Sequence, residues 1–227
     1  MDMTVINLES FRAVIFDMDG LLLDTERLAL RTFNETCSEF GIGAQHDLFR
    51  KLIGRNQASG DEILRAELHG QVDIGVFGKV WNRKYTELTT DRPIPVKPGA
   101  TELLAHLGCR EVPLAVATST NSNVAQRKLK GAGILQHFRL VVGGEQVAHG
   151  KPYPEIYTRA ALDLGVEPQA CIAVEDSENG VRAAVAAGMT VLQVPDLVPP
   201  SPELLRLGHT VLPDLHHVLE LLSATRA

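Results

Sequence analysis

The chain has 227 residues, a length that favours one large domain or a core domain with a smaller insert. Hydrophobic residues make up 44% and charged residues 22% of the sequence, which is typical of folded globular proteins and excludes collagen-like or disordered chains. The formal net charge of −6 argues against non-specific binding to nucleic acid or to an anionic membrane surface.

The lack of a signal-peptide run in residues 1–17 and the spacing of the cysteines predict a cytoplasmic protein. Residues 1–17 contain no apolar run of signal-peptide length, and no run elsewhere approaches a membrane span. Cys37, Cys109 and Cys171 have neither CxxC spacing nor neighbouring histidines, so neither a disulfide framework nor a zinc site is indicated. We predict that all three are buried thiols.

Short apolar runs alternate with helical stretches along most of the chain. The runs have the length expected of strands buried on both faces of a parallel sheet, and they cover residues 13–17, 113–118, 140–143, 171–175, 190–194 and 210–212. Helical periodicity covers residues 99–108, 123–131, 154–165, 178–188 and 215–222. This alternation predicts an α/β fold with a doubly wound parallel sheet, which is Rossmann-like.

One region breaks the alternation. Between residues 26 and 91 the chain lacks β-branched runs and shows amphipathic stretches at 28–40, 59–68 and 76–89. The segment that follows, residues 92–99, is rich in proline and cannot continue a helix. We therefore predict a core domain made of residues 1–25 and 92–227, with an all-helical domain inserted at 26–91.

Polar side chains occur where four of the predicted strands end or soon after. Ligands of open parallel sheets bind beyond the carboxyl ends of the strands, so these side chains are candidates for one site. They are the acids Asp17 and Asp19, the hydroxyls Thr118 and Ser119, Lys151 between Gly150 and Pro152, and the acids Glu175 and Asp176.

Each of these groups alone also has an ordinary structural explanation. Acids and hydroxyls cap helices, and most single lysines are solvated. As a set they suit phosphate chemistry, because paired carboxylates need a hard cation such as Mg²⁺, while hydroxyls at a helix start and a fixed ammonium group bind phosphate oxygens. Four independent caps would be a coincidence, so the pattern favours a single site.

The four groups together resemble the motifs of the haloacid dehalogenase superfamily. Residues 16–26, 150–152 and 175–184 are similar to its phosphatase and phosphoglucomutase branch, in which a helical cap is inserted after the first motif. The resemblance spans nearly the whole chain. The matching motifs are Asp17-Met18-Asp19-Gly20, Thr118-Ser119, Lys151-Pro152 and Glu175-Asp176.

The resemblance implies an enzyme, a Mg²⁺-dependent phosphomonoesterase that hydrolyses a small phosphorylated metabolite through an aspartyl-phosphate. Asp17 is the implied nucleophile and Asp19 the general acid and base. Phosphate is implied to bind Thr118, Ser119 and Lys151. The implied Mg²⁺ ligands are Asp17, the backbone carbonyl of Asp19, and Asp176, with Glu175 as an additional ligand or as an acid one layer further out.

Other residues of the insert have less specific signals. Arg55 falls where similar proteins carry a substrate-specificity loop, and it could bind an anionic group of the substrate, although a solvated surface arginine explains it equally well. Trp81 and Tyr85 are spaced i and i+4, and we predict that both pack in the core of the cap. We expect a hinge at residues 24–26 and 92–99.

Three alternatives to a phosphatase deserve weight. Sugar phosphomutases of the same branch carry a hinge histidine where this chain has Ala29 and a lysine where it has Asn121, so transfer to water is favoured. Receiver modules order their acids differently and lack a helical insert. An inactive binding protein is disfavoured because all four motifs are filled.

The substrate stays open among phosphorylated hexoses or deoxyhexoses, phosphoglycolate and nucleoside monophosphates, and a monomer is expected.

Overall fold

The computed structural model describes residues 11–53, 57–90 and 93–224. One sheet of six parallel strands forms the centre of the molecule, in the order β3-β2-β1-β4-β5-β6. Each predicted apolar run contains one strand, so the α/β fold class is confirmed. The strands are β1 (Ala13–Phe16), β2 (Leu114–Ala117), β3 (Leu140–Val142), β4 (Cys171–Glu175), β5 (Thr190–Gln193) and β6 (Thr210–Val211).

Ten α-helices accompany these strands in the described ranges. Their bounds are α1 (Thr25–Glu39), α2 (His46–Leu52), α3 (Gln57–Glu67), α4 (Ile74–Thr90), α5 (Ala100–Cys109), α6 (Ser122–Gly131), α7 (Glu155–Asp163), α8 (Glu178–Ala186), α9 (Pro202–Leu205) and α10 (Leu215–Ser223). Sequence periodicity misses α2 and α9, because seven and four residues are too few to show a helical repeat.

Successive side chains of β1 face opposite layers of helices. Val14 and Phe16 pack in a cluster with residues of α5, α6 and α10. Ala13 and Ile15 pack in a second cluster with residues of α7, α8 and α9. Both faces of the strand are therefore buried, which explains why it reads as an uninterrupted apolar run.

The order of the strands fixes where a ligand can bind. The chain runs outward from β1 to β2 and β3 on one side, and from β4 to β5 and β6 on the other. Phe16 at the end of β1 lies opposite Val116 of β2 and Val174 of β4. The polar residues that follow these three strands consequently leave the sheet at one edge, at the point where the strand order reverses.

Helices α1–α4 lie in the chain between β1 and β2 and have a hydrophobic cluster of their own. The rings of Phe49, Phe77 and Trp81 pack against Phe33 with centroid separations of 5.5, 5.7 and 5.0 Å. The prediction that Trp81 packs among these helices is confirmed. That residues 26–91 form a domain of their own stays a prediction.

The two segments that join these helices to the sheet run side by side. Leu23 and Val96 form an antiparallel bridge. The Asp24 amide donates to the Pro95 carbonyl at 2.9 Å, and the Lys97 amide donates to the Leu22 carbonyl at 2.9 Å. The two predicted hinge segments therefore touch at Asp24 and Pro95, and Arg92 lies outside the described residues.

The cysteine prediction is wrong for one of the three thiols. Cys37 and Cys171 are buried, and burial raises the pKa of each to about 11. Cys109 is exposed, because it is the last residue of α5 and lies beyond the part of that helix that packs on the sheet. None of the helices in the described ranges has both the length and the apolar character needed to cross a membrane.

Candidate active site

A cleft of about 250 Å³ opens at the carboxyl edge of the sheet. Six of the seven core site residues predicted from the sequence line it, namely Asp17, Asp19, Thr118, Ser119, Lys151 and Asp176. The seventh, Glu175, lies directly behind Lys151 and is fully buried. The structure therefore brings these residues together, whereas Arg55 lies outside the described residues.

Lys151 connects the first and last motifs. Its ammonium group donates to Asp17 and, at 2.6 Å, to Glu175 Oε1, and only 3% of its side chain is exposed. Burial would lower the pKa of Lys151, but the charges of Asp17 and Glu175 raise it above its usual value. Burial raises the pKa of Asp17 to about 7 against the opposing effect of Lys151. A charged ammonium group is thus fixed beside the Asp17 carboxyl.

Both oxygens of Glu175 are occupied by hydrogen bonds. Oε1 accepts from Lys151 and, at 2.9 Å, from the Tyr157 hydroxyl. Oε2 accepts from the amide and the hydroxyl of Ser177 at 2.9 and 3.0 Å. Burial favours the neutral acid, but Lys151 and these donors hold the pKa of Glu175 below its usual value. Glu175 is therefore an anchor for the lysine.

Gly180 makes room for this anchor. It lies in the first turn of α8, and a Cβ atom there would overlap the Glu175 carboxyl group. Ser177 caps the same helix by accepting from the Gly180 amide at 3.2 Å. The β4–α8 junction thus depends on a residue without a side chain.

We expect Gly180→Ala to lower both stability and activity. The added methyl group forces Glu175 off Lys151, and overpacking of this kind costs about 1–3 kcal/mol. Thermal unfolding and kcat should be measured beside Gly78→Ala in α4, where a Cβ meets no atom within 4 Å. The control should gain about 0.5–1 kcal/mol from helix propensity. Equal gains in both variants would show that Gly180 has no such role.

Asp19 is held by donors from α6 and from the loop after β2. Its carboxylate accepts from the Thr120 hydroxyl at 2.6 Å and from the Lys128 ammonium at 2.9 Å. Lys128 also donates to the Tyr85 hydroxyl of α4 at 3.1 Å. Although burial alone would raise it, Lys128 and Thr120 hold the pKa of Asp19 below its usual value. Asp19 is thus ionised and oriented into the cleft.

The loop after β2 supplies hydroxyl groups and a helix start. Thr118 is buried, and its hydroxyl accepts from the Thr120 amide at 3.1 Å. Ser119 is exposed at the cleft. Asn121 caps α6 by accepting from the Asn123 amide at 3.1 Å. The sequence left phosphate binding and capping open for this segment, and the structure assigns capping to Asn121.

Negative charge exceeds positive charge beside β1 and β4. None of the described residues donates a hydrogen bond to the Asp176 carboxylate, whose pKa is raised by burial and by Glu175 and Asp17. A Cβ atom on Gly20 would meet an Asp176 oxygen, so only glycine lets this carboxylate reach the Asp17–Gly20 turn. Two carboxylates converge on a turn in which the Asp19 carbonyl accepts from no backbone amide of the described residues, and such a set fits a hard cation such as Mg²⁺.

The candidate cation site is not a cluster of side chains alone. The described ranges contain no group of three or more His, Cys, Asp and Glu side chains placed to hold a metal ion. A set made of Asp17, Asp176 and a backbone carbonyl is compatible with that finding, since Mg²⁺ keeps several waters and needs one or two carboxylates.

Sequence reasoning did not assign to the site six further residues that line the cleft, namely Thr25, Glu26, Tyr85, Thr120, Lys128 and Ser177. The prediction for Tyr85 is wrong, because this residue lies one turn past Trp81 on α4 and contacts Lys128 at the cleft. Thr120 belongs to the hydroxyl-rich segment and could have been included. Lys128 is one of several basic residues of α6, and no sequence signal distinguishes it.

Comparison with known proteins finds a matching hydrolase family and relatives that are phosphatases. The model of the haloacid dehalogenase-like hydrolase family matches residues 14–194. A phosphorylated carbohydrates phosphatase of Thermotoga maritima is 35% identical over 181 residues, covering 78% of this chain and 82% of the relative. Hexitol phosphatase A of Escherichia coli is 31% identical, covering 81% and 82%.

A solved structure has the same fold. Mutant CbbY from Rhodobacter sphaeroides, in complex with xylulose 1,5-bisphosphate, is 28% identical and superposes with a TM-score of 0.73, covering 90% of this chain and 95% of its own. The predicted enzyme class, a phosphoric monoester hydrolase, is confirmed by the family match and the two phosphatases. The chain belongs to the haloacid dehalogenase-like hydrolase family.

Proposed function

We propose that this protein is a Mg²⁺-dependent phosphatase that hydrolyses small phosphorylated metabolites, phosphorylated sugars foremost, through a phosphoryl group carried on Asp17. The single observation that carries the proposal is the placement of Asp17 in the cleft against the fixed ammonium group of Lys151. The carbohydrate phosphatases among its relatives support the substrate class. We expect it to act in the cytoplasm and as a monomer.

In the first step an Asp17 carboxylate oxygen forms a bond to phosphorus as the ester P–O bond breaks. The phosphate dianion and the carboxylate repel each other, so positive charge must surround the transferred group. Lys151 supplies one charge, and the Thr118 hydroxyl and the amides that follow Asp17 and Thr118 hold the non-bridging oxygens. Ser119 lies at the cleft to contribute its backbone.

Asp17, the Asp19 carbonyl and Asp176 are the residues that would hold the metal ion. When bound, Mg²⁺ neutralises charge on the phosphate and the carboxylates and orients them for in-line displacement. Glu175 is assigned to holding Lys151, because its carboxylate oxygens accept from Lys151, Tyr157 and Ser177.

Asp19 handles the proton in both steps. Asp19 first takes up a proton when the phosphate dianion binds, because the added negative charge raises its pKa from the lowered value that Lys128 and Thr120 give it in the free protein. It gives that proton to the leaving alkoxide as the ester bond breaks, and as a carboxylate it then takes a proton from the water that attacks phosphorus and releases inorganic phosphate from Asp17. Thr120 and Lys128 hold its carboxylate towards the cleft.

A panel of phosphorylated metabolites tests this proposal. Phosphate release should be measured for hexose, hexitol, nucleoside and two-carbon phosphomonoesters and for 4-nitrophenyl phosphate, with Mg²⁺ and with EDTA. We expect turnover with Mg²⁺, highest for sugar phosphates, and loss of activity in EDTA that Mg²⁺ restores. Absence of phosphate release from every ester would contradict the proposal.

Asp19→Asn should slow hydrolysis in a way that depends on the leaving group. For a hexitol phosphate, whose alkoxide needs a proton, we expect kcat to fall by about 10²–10⁴. For 4-nitrophenyl phosphate, whose phenolate leaves unprotonated, the first step should be much less affected. Burst kinetics separate the two steps, and equal losses in the first step for both esters would argue against Asp19 as the acid.

The alternative, a sugar phosphomutase, is disfavoured by two positions. Ala29 lines the cleft where such enzymes of the branch carry a histidine, and it has no group to transfer a proton. Asn121 stands where they carry a lysine, and here it caps α6. Formation of an isomeric sugar phosphate faster than inorganic phosphate would support the mutase.

A further inference from the structure

One part of the cleft is not used by the proposed chemistry. Glu26, Ala29, Tyr85 and Lys128 line it together with the residues already assigned. Glu26 and Ala29 lie on α1 and Tyr85 on α4, whereas Lys128 belongs to α6 on the sheet. The leaving alcohol of a substrate must lie beyond the phosphate, so these side chains are candidates for its recognition.

Tyr85 has a hydroxyl proton available. Its oxygen accepts from Lys128 at 3.1 Å, and no described residue accepts a hydrogen bond from it. Burial and the charge of Asp19 raise the pKa of Tyr85 to about 12, so the phenol stays protonated. Because Lys128 also binds Asp19 at 2.9 Å, its ammonium group fixes the direction of the Tyr85 hydroxyl.

Glu26 offers the complementary acceptor. It is partly buried, its side chain lies close to Gly20 and Asp176, and none of the described residues donates a hydrogen bond to it. Because Glu26 lines the cleft and has no donor among the described residues, its carboxyl group is available to accept from a hydroxyl group of a ligand. The carboxyl group accepts a hydrogen bond in either protonation state.

The rest of the lining favours hydroxyl groups over a flat base. Among the described residues around the cleft, Ala29 is the single aliphatic side chain. The one aromatic ring, that of Tyr85, already has the Lys128 ammonium 5.2 Å from its centroid. A nucleobase would find one ring to stack on, and the Lys128 ammonium already lies over that ring, whereas a polyol both donates and accepts hydrogen bonds.

From this arrangement we infer that Glu26 and Tyr85 form the subsite that binds the hydroxyl groups of a polyhydroxylated leaving alcohol, with Lys128 orienting Tyr85. This inference rests on the proposed phosphatase function and narrows its substrate to sugar and sugar-alcohol phosphates. Glu26 accepts from one hydroxyl, and Tyr85 donates to another.

The test is a ratio of specificity constants within each variant. We compare kcat/KM for a hexitol or hexose phosphate with kcat/KM for 4-nitrophenyl phosphate, so that changes in the shared phosphoryl chemistry cancel. We expect the ratio to fall about tenfold in Glu26→Ala and about threefold in Tyr85→Phe, with part of the loss recovered in Glu26→Gln. Glu35→Ala, on the exposed face of α1, should leave the ratio unchanged.

Each outcome bears on a different claim. An unchanged ratio in Glu26→Ala and Tyr85→Phe would overturn the subsite while the phosphatase stands. A shift in the Mg²⁺ concentration for half-maximal activity, equal for both esters, would make Glu26 part of the metal site and also overturn the inference. A nucleoside monophosphate preferred equally by parent and variants would contradict the substrate class. If the parent hydrolyses neither ester, the proposed function and the subsite both fail.

Discussion

Asp17→Asn is expected to abolish phosphomonoester hydrolysis. The amide is a far weaker nucleophile than the carboxylate and a neutral ligand for a cation, so kcat should fall by at least about 10⁴. The shape of the site should persist, because the asparagine oxygen can still accept from Lys151. Initial rates for a sugar phosphate with saturating Mg²⁺ measure the effect.

Asp163→Asn is a matched control for this substitution. Asp163 lies at the end of α7 and pairs with Arg159 at 2.7 Å on the surface, so its loss should leave kcat unchanged. A parental rate in Asp17→Asn, with the protein folded, would exclude Asp17 as the nucleophile.

Lys151→Met is expected to give the second large effect. Removing one fixed charge from a site where charge develops costs about 10²–10³ in kcat. The substitution also leaves Asp17 and Glu175 without their shared cation, and breaking a buried ion pair costs about 3–5 kcal/mol of stability, less where the acids take up protons. The measurements are kcat and thermal unfolding.

Lys84→Met is the matched control, because it shows whether the loss of a lysine outside the site has the same effect as the loss of Lys151. Lys84 on α4 pairs with Glu39 at 3.0 Å and is a quarter exposed, so we expect a small change in stability and parental kcat. If Lys151→Met stayed folded and kept parental activity, the ammonium group would have no part in binding the phosphate.

The sheet was predictable because its strands carry a local signal. In a parallel sheet both faces are covered, so β1 and β4 appear as continuous apolar runs that end at Asp17 and Glu175. The four site motifs follow from the same rule, since the polar residues after these runs must meet at one edge of the sheet. Short helices such as α2 carry too little periodicity for such a prediction.

The residues that sequence reasoning missed depend on how helices are placed in space. Lys128 lies nearly two turns into α6, and its contact with Asp19 depends on how that helix is placed beside the turn after β1. Tyr85 shares the spacing of Trp81, yet Trp81 packs on Phe33 while Tyr85 contacts Lys128 of the core. Spacing along one helix identifies a face, but it does not say what that face meets.

The most direct test of the account is chemical trapping of the phosphorylated carboxylate. Protein quenched in acid during turnover of a sugar phosphate, reduced with borohydride and digested should show an aspartate converted to homoserine, because borohydride reduces acyl phosphates and spares free carboxylates. We expect this conversion at Asp17 alone, and none when substrate is omitted. Conversion at another residue, or none at Asp17 despite rapid turnover, would contradict the aspartyl-phosphate mechanism.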